Sequence, residues 1–172
     1  MAVLTGPSQK VSGNRRDLLL DVLDRAWDVR SWHGTNLRGS IRGVRAEEAA
    51  WRPGPGRHNI HELVVHAAYW KYVARRRMLG EKRGSFPLKG SDWFPRPEDG
   101  VTEVQWVEDV ALLAEMHDSL REAVALLPEK RLREPAQKGF DNVGLITGIA
   151  AHDLYHAGQI QLLKRLYRSA ES

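Results

Sequence analysis

Apolar residues recur along this chain at steps of three and four, and four long segments carry that helical period. In the first, about residues 14–30, Leu19, Val22, Leu23, Ala26 and Val29 make one apolar face, and Trp32, His33 and Gly34 end it. A linker follows in which Ala46 to Trp51 reads as a short helical turn, before Pro53, Gly54, Pro55 and Gly56 break the chain. The second helix opens at Asn59, a good N-cap. Glu62 stands three residues on, as in a capping box. That helix runs to about Leu79 and stops at Gly80, roughly 30 Å at 1.5 Å per residue.

Residues 80–101 are rich in Gly, Pro and aromatic residues and read equally as a lid over a pocket or as a long crossover. The third helix starts near Thr102 and ends before Pro128. Its Trp106, Val110, Leu113, His117, Leu120, Val124 and Leu127 alternate steps of four and three, the seam of a helix packed nearly along its neighbours. A polar loop with Pro135 and Gly139 leads to a fourth helix, about residues 143–167. No segment alternates as a strand does. The expectation is one all-α domain over residues 1–172, a four-helix bundle, with residues 1–13 flexible.

Composition narrows the chemistry. With 42% hydrophobic and 28% charged residues the chain reads as globular, and no apolar run approaches the roughly 20 residues of a membrane span. The N-terminus lacks the apolar core of a signal peptide, so a cytoplasmic location is expected. There is no cysteine, which removes disulfides, thiolate-held zinc and a cysteine nucleophile together. Any metal must be held by nitrogen and oxygen, and any thiol in the reaction must arrive on a small molecule. The net charge of +4 is mild. Arg75, Arg76, Arg77, Lys82 and Arg83 cluster as a solvated helix end does, and an anionic substrate near that end is the lesser reading. Nucleic-acid binding would need a more extended basic face and is not expected.

Histidine supplies the candidate chemistry. His152 and His156 stand four apart, so both project from one face of the last helix, in line with Leu145, Ile149, Ile160 and Leu163. Two imidazoles directed into an apolar interior need partners, and a divalent metal accepts both neutral nitrogens. On the second helix His66 shares a face with Leu63, Trp70 and Val73, which makes it the third candidate ligand, with Trp70 beside it. His61, five residues earlier, points elsewhere and reads, with His58, as a surface or capping residue. Asp153 and Tyr155 are expected to give polar support around the site. Asp153 stands where a zinc metalloprotease helix carries its catalytic Glu and is one methylene shorter, which disfavours a protease. His117, on a core seam, reads first as a satisfied core histidine. His33 could line a pocket mouth.

The stretches from Asn59 to Trp70 (NIHELVVHAAYW) and from Gly148 to Ile160 (GIAAHDLYHAGQI), with Trp51-Arg52-Pro53-Gly54 and Trp32-His33-Gly34, resemble the DinB-like, or YfiT-like, superfamily of damage-inducible metalloenzymes. The resemblance implies an up-up-down-down four-helix bundle with a long crossover, often a homodimer. It also implies metal-ligand roles for His66, His152 and His156. Zinc and nickel are the metals it implies, and a low-molecular-weight thiol such as bacillithiol, mycothiol or glutathione is the co-substrate of characterised members. Three histidines leave coordination positions open, as in catalytic sites. The expected function is a metal-dependent enzyme acting on a small molecule, as a thiol S-transferase or as a hydrolase. A non-catalytic metal-binding bundle is the third reading.

Overall fold

The computed structural model describes residues 14–96 and 101–171; residues 1–13, expected to be flexible, lie outside them. The helices are α1 (Arg15–Trp27), α2 (Leu37–Ile41), α3 (Ala46–Ala50), α4 (Ile60–Leu79), α5 (Glu103–Leu126) and α6 (Asn142–Ala170). A 3-10 turn (Glu129–Arg133) and two very short antiparallel strands, β1 (Pro135–Gln137) and β2 (Phe140–Asp141), link α5 to α6. The strands replace part of the loop expected there. They are too short to carry an alternating apolar pattern, so periodicity does not reveal them.

Local chemistry sets the ends of the long helices. The side chains of Asn14, Asn59, Thr102 and Asp141 each accept a hydrogen bond from a first-turn backbone N–H. Thr102 and Gln105 complete a reciprocal capping box. Glu62 does not, because its carboxylate is taken by Arg52 and His58. At its C-terminus α4 ends on Gly80 with φ +73°, a left-handed cap that a residue without Cβ adopts without strain.

The four long helices form the all-α bundle. In cross-section α4 packs against α5 and α6, and α1 packs against the same two, so α1 and α4 lie on one diagonal. Pairs of contacts give the directions. His61 meets Asp109 and Lys71 meets His117, so α4 and α5 run parallel, joined by the crossover. Trp27 stacks on His117 while Asp24 meets Arg121, so α1 opposes α5. His66 meets His152, and further along α4 Arg77 meets Gln137 just before α6 begins, so α6 opposes α4. The order is therefore up-down-down-up, a correction to the up-up-down-down that the resemblance implied. The cause lies in residues 28–59. They fold back as α2 and α3, packing Leu37, Ile41, Ala46 and Ala49 in one cluster with Trp27, Ile60 and Leu63, and so return the chain to the end where α1 stops.

Among the described residues two apolar clusters fill the bundle, one around Trp27, Leu63, Leu113 and Ile160, the other around Leu23, Met78, Leu120 and Ile146, and a third, around Val65, Tyr69, Tyr72 and Phe94, packs the crossover onto α4. Among the described residues no helix is long and apolar enough to cross a membrane.

Candidate metal centre

Between those clusters α4 and α6 bring three imidazoles together. His66 and His156 are buried and His152 is partly so, and one ring nitrogen of each lies within 4.8 Å of the others. His152 Nε2 is 3.2 Å from His66 Nε2 and 3.0 Å from His156 Nε2. The antiparallel pairing of α4 with α6 produces this meeting, since one histidine of α4 then falls level with a four-residue step of α6.

The outer nitrogens show which tautomers the fold selects. His66 Nδ1 donates to the backbone carbonyl of Asp92 at 2.8 Å, and His156 Nδ1 donates to Gln159 Oε1 at 2.6 Å. Both Nε2 lone pairs are thereby turned inward, the arrangement that metal-ligating histidines show. His152 cannot settle this meeting alone. With its proton on Nε2 it can satisfy only one neighbour, and with its proton on Nδ1 three lone pairs face one another. Its Nδ1 is buried with no hydrogen-bond partner among the described residues. A cation accepting all three Nε2 lone pairs resolves the conflict. Nitrogens bound to zinc at about 2.0–2.1 Å stand about 2.8–3.4 Å apart between right-angle and tetrahedral geometry. The two spacings observed fall in that range, so the donor set fits a divalent ion.

Electrostatics agree. Burial pushes His152 down to about 3, helped by the neighbouring His156 and His66, and pushes His156 down to about 4 against its bond to Gln159. Burial lowers His66 as well. All three are neutral at pH 7, the form that binds metal.

The crossover covers this centre. Trp93 stacks on His66 with ring centroids 3.9 Å apart and on His58 at 3.5 Å. Asp92 has φ +67°, a left-handed backbone that Asp tolerates better than most residues. That conformation lets its carbonyl reach His66 while its carboxylate accepts from Trp70 Nε1 at 2.8 Å. Arg96 anchors the same segment, bonding Asp109 through its guanidinium and Glu62 through its backbone N–H. Burial alone would raise Glu62, but Arg52, the Arg96 N–H and His58 outweigh it and hold the carboxyl down at about 2. Asp92, Trp93 and Gln159 are not among the expected site residues, although Trp93 belongs to the aromatic segment expected as a lid or a crossover. Gln159 was findable, three residues after His156 on the same helix. The two loop residues carry no periodic signal.

The other singled-out residues take different places. Trp70 lies beside the cluster, 6.3 Å from the His66 and His152 rings. Tyr155 is largely exposed, its ring 5.1 Å from that of His156. Asp153 does not reach the imidazole cluster, where support was expected of it; it turns into the core and pairs with Lys71, both fully buried. His117 is buried beside them, with Lys71 Nζ donating to its Nδ1 at 3.3 Å and Trp27 stacked on its ring at 4.4 Å. It is a core histidine away from the cluster. His33 lies exposed in the turn closed by Ser31 and Gly34, and neither cavity adjoining the cluster includes it. His61 corrects the surface reading: it is fully buried, with Nε2 2.7 Å from Asp109 Oδ2. The first turn of α4 is covered by α5 and the crossover, which helical phase alone does not show.

Comparison with known families matches residues 30–160 to the DinB superfamily, and the chain belongs to that superfamily. No curated protein and no solved structure matches it. Membership and the buried three-histidine cluster together fit a metal-binding protein.

Proposed function

We propose that this protein is a metal-dependent enzyme holding one divalent ion, zinc or nickel, on His66, His152 and His156. The observation that carries the reading is the convergence of the three Nε2 atoms, with two outer Nδ1 donors already engaged. Bound there, the ion would supply Lewis acidity to activate a thiol or a water. The chain's own part is to fix the imidazoles. Asp92 and Gln159 set two of the tautomers, Trp93 closes one face of His66, and the neutral rings leave their lone pairs free.

A cavity of about 470 Å³, lined by Arg57, Trp93, Tyr155, His156 and Gln159 among others, opens beside the cluster and is large enough for a small-molecule thiol. Together with the lack of cysteine, it supports a thiol S-transferase as the reaction class, with a hydrolase using water as the alternative. Metal analysis by mass spectrometry tests the reading. The wild type should hold about one ion per chain, His156→Ala should lose it, and His61→Ala should keep it. No metal after reconstitution, or equal loss in both variants, refutes the assignment.

A homodimer completes the proposal. On α6 Tyr155, Leu162 and Leu166 stand on one outer face, 64%, 57% and 41% exposed, an apolar stripe that a second copy would cover. Sedimentation at micromolar concentration should give twice the chain mass, and a monomer there would remove this part of the proposal.

A further inference from the structure

A second cavity, of about 190 Å³, lies between α4 and α6 on the other side of the cluster. Trp70, Val73, Leu145 and Ile149 make its walls apolar, and among the described residues no acidic side chain lines it. His152 closes one end. Arg77 and Gln137 stand in the same lining, and Arg77 is bonded to Gln137. The Arg77 guanidinium carbon lies 5.9 Å from the Trp70 ring, and that ring lies 6.3 Å from the His152 ring, so one indole bridges the two poles. Arg75 is paired with Glu81 and Arg131 with Glu134, but Arg77 has no carboxylate partner among the described residues. A half-buried guanidinium at an apolar cavity without a counter-ion is matched to one that a ligand brings.

The rim of the cavity, where Gly148 is exposed, adds an independent observation. Gly148 lies in the interior of α6, where a glycine costs about 1 kcal/mol relative to alanine. A Cβ built there would meet nothing within 4 Å, so packing does not demand the glycine, and its absence of a side chain keeps the cavity open.

We propose that this cavity binds a small organic carboxylate with an apolar body, its carboxylate on Arg77 and its far end beside His152. The volume equals about six waters at about 30 Å³ each, which admits a short-chain acid and excludes a nucleotide or a peptide. That the far end is the reacting end rests on the metal-dependent reading above; the binding does not. The cavity with His152 would take the acid, and the larger one with His156 would remain for a co-substrate.

Calorimetric titration with hexanoate and with 1-hexanol tests this, on zinc-loaded and metal-free protein whose metal content is measured in the same samples. Hexanoate should bind both forms. Arg77→Gln should weaken it about ten- to hundredfold, the effect of removing one charge-assisted partner, while leaving 1-hexanol unchanged. Gly148→Leu, which fills the cavity and favours the helix, should abolish binding of both without lowering thermal stability. Equal affinity for acid and alcohol, indifference to Arg77→Gln, or no hexanoate binding at millimolar concentration overturns the proposal. Loss of hexanoate binding on removing zinc also overturns it, because the carboxylate would then sit on the ion. Hexanoate binding by a protein that never takes up metal would refute the metal centre and leave the anion site standing.

Discussion

Lys71→Met is the perturbation for which the structure gives the clearest magnitude. The ammonium of Lys71 and the carboxylate of Asp153 are both fully buried, one on α4 and the other on α6. Lys71 Nζ also reaches His117 Nδ1 at 3.3 Å and lies 5.3 Å from the Trp27 ring centroid. Asp153 Oδ1 already lacks a hydrogen-bond partner among the described residues, so losing Lys71 strands both oxygens in the core. Breaking a buried pair from one side costs about 3–5 kcal/mol. For a chain of this size that is a fall of roughly 6–20 °C in melting temperature. Burial already pushes Asp153 up, with Lys71 opposing, so the stranded carboxyl can take up a proton and the lower half of the range is expected. A folded-state value above the unfolded one makes the loss grow as pH rises past about 4. Replacing both residues, Lys71→Met with Asp153→Leu, should return most of the stability, because two apolar side chains leave no charge to satisfy. Urea unfolding of metal-free protein at pH 7, followed by circular dichroism, measures Lys71→Met, Asp153→Leu alone and the double variant. A single variant costing under about 1 kcal/mol, or a double variant costing the sum of the singles, would refute the coupling.

Acidification should unfold the metal-free protein through its histidines. His117 is pushed down to about 2 by burial and by Lys71, His152 to about 3 and His156 to about 4, all below the unfolded value near 6.5. Their contribution is present above about pH 6.5 and is lost as pH falls, by up to about 1.4 kcal/mol per unit for each ring. Urea midpoints at pH 7, 6 and 5 should fall, and His117→Phe should flatten the slope; parallel slopes would show that this histidine does not titrate with unfolding. Gln159→Leu removes the acceptor of His156 Nδ1 and frees its tautomer, so metal affinity should drop about 10–100-fold with little change in fold. Competition with a chromogenic chelator reads that drop, and unchanged affinity would mean that Gln159 does not orient the ligand.

Helical phase made much of this protein legible in advance. The period of three and four residues located the long helices because an amphipathic helix must bury one face, and that requirement is written in every turn. The caps at Asn59 and Thr102 are local chemistry between residues three apart, so they too could be read directly. His152 and His156 share a face by helical geometry alone, and His66 followed from the apolar company it keeps. Tertiary structure decided the rest. The order of helix directions depended on where α2 and α3 return the chain, which no periodicity records. His61 is buried because α5 and the crossover cover it, although its phase differs from that of His66. Asp153 sits beside a candidate ligand in sequence, yet the 100° turn per residue carries its carboxylate away from the cluster and into the core, to Lys71. Asp92 and Trp93, which complete the centre, come from an irregular segment whose backbone conformation is set by what it touches. Residues within one helix are related by a fixed rotation, so their chemistry can be inferred from spacing. Residues on different elements meet only through packing.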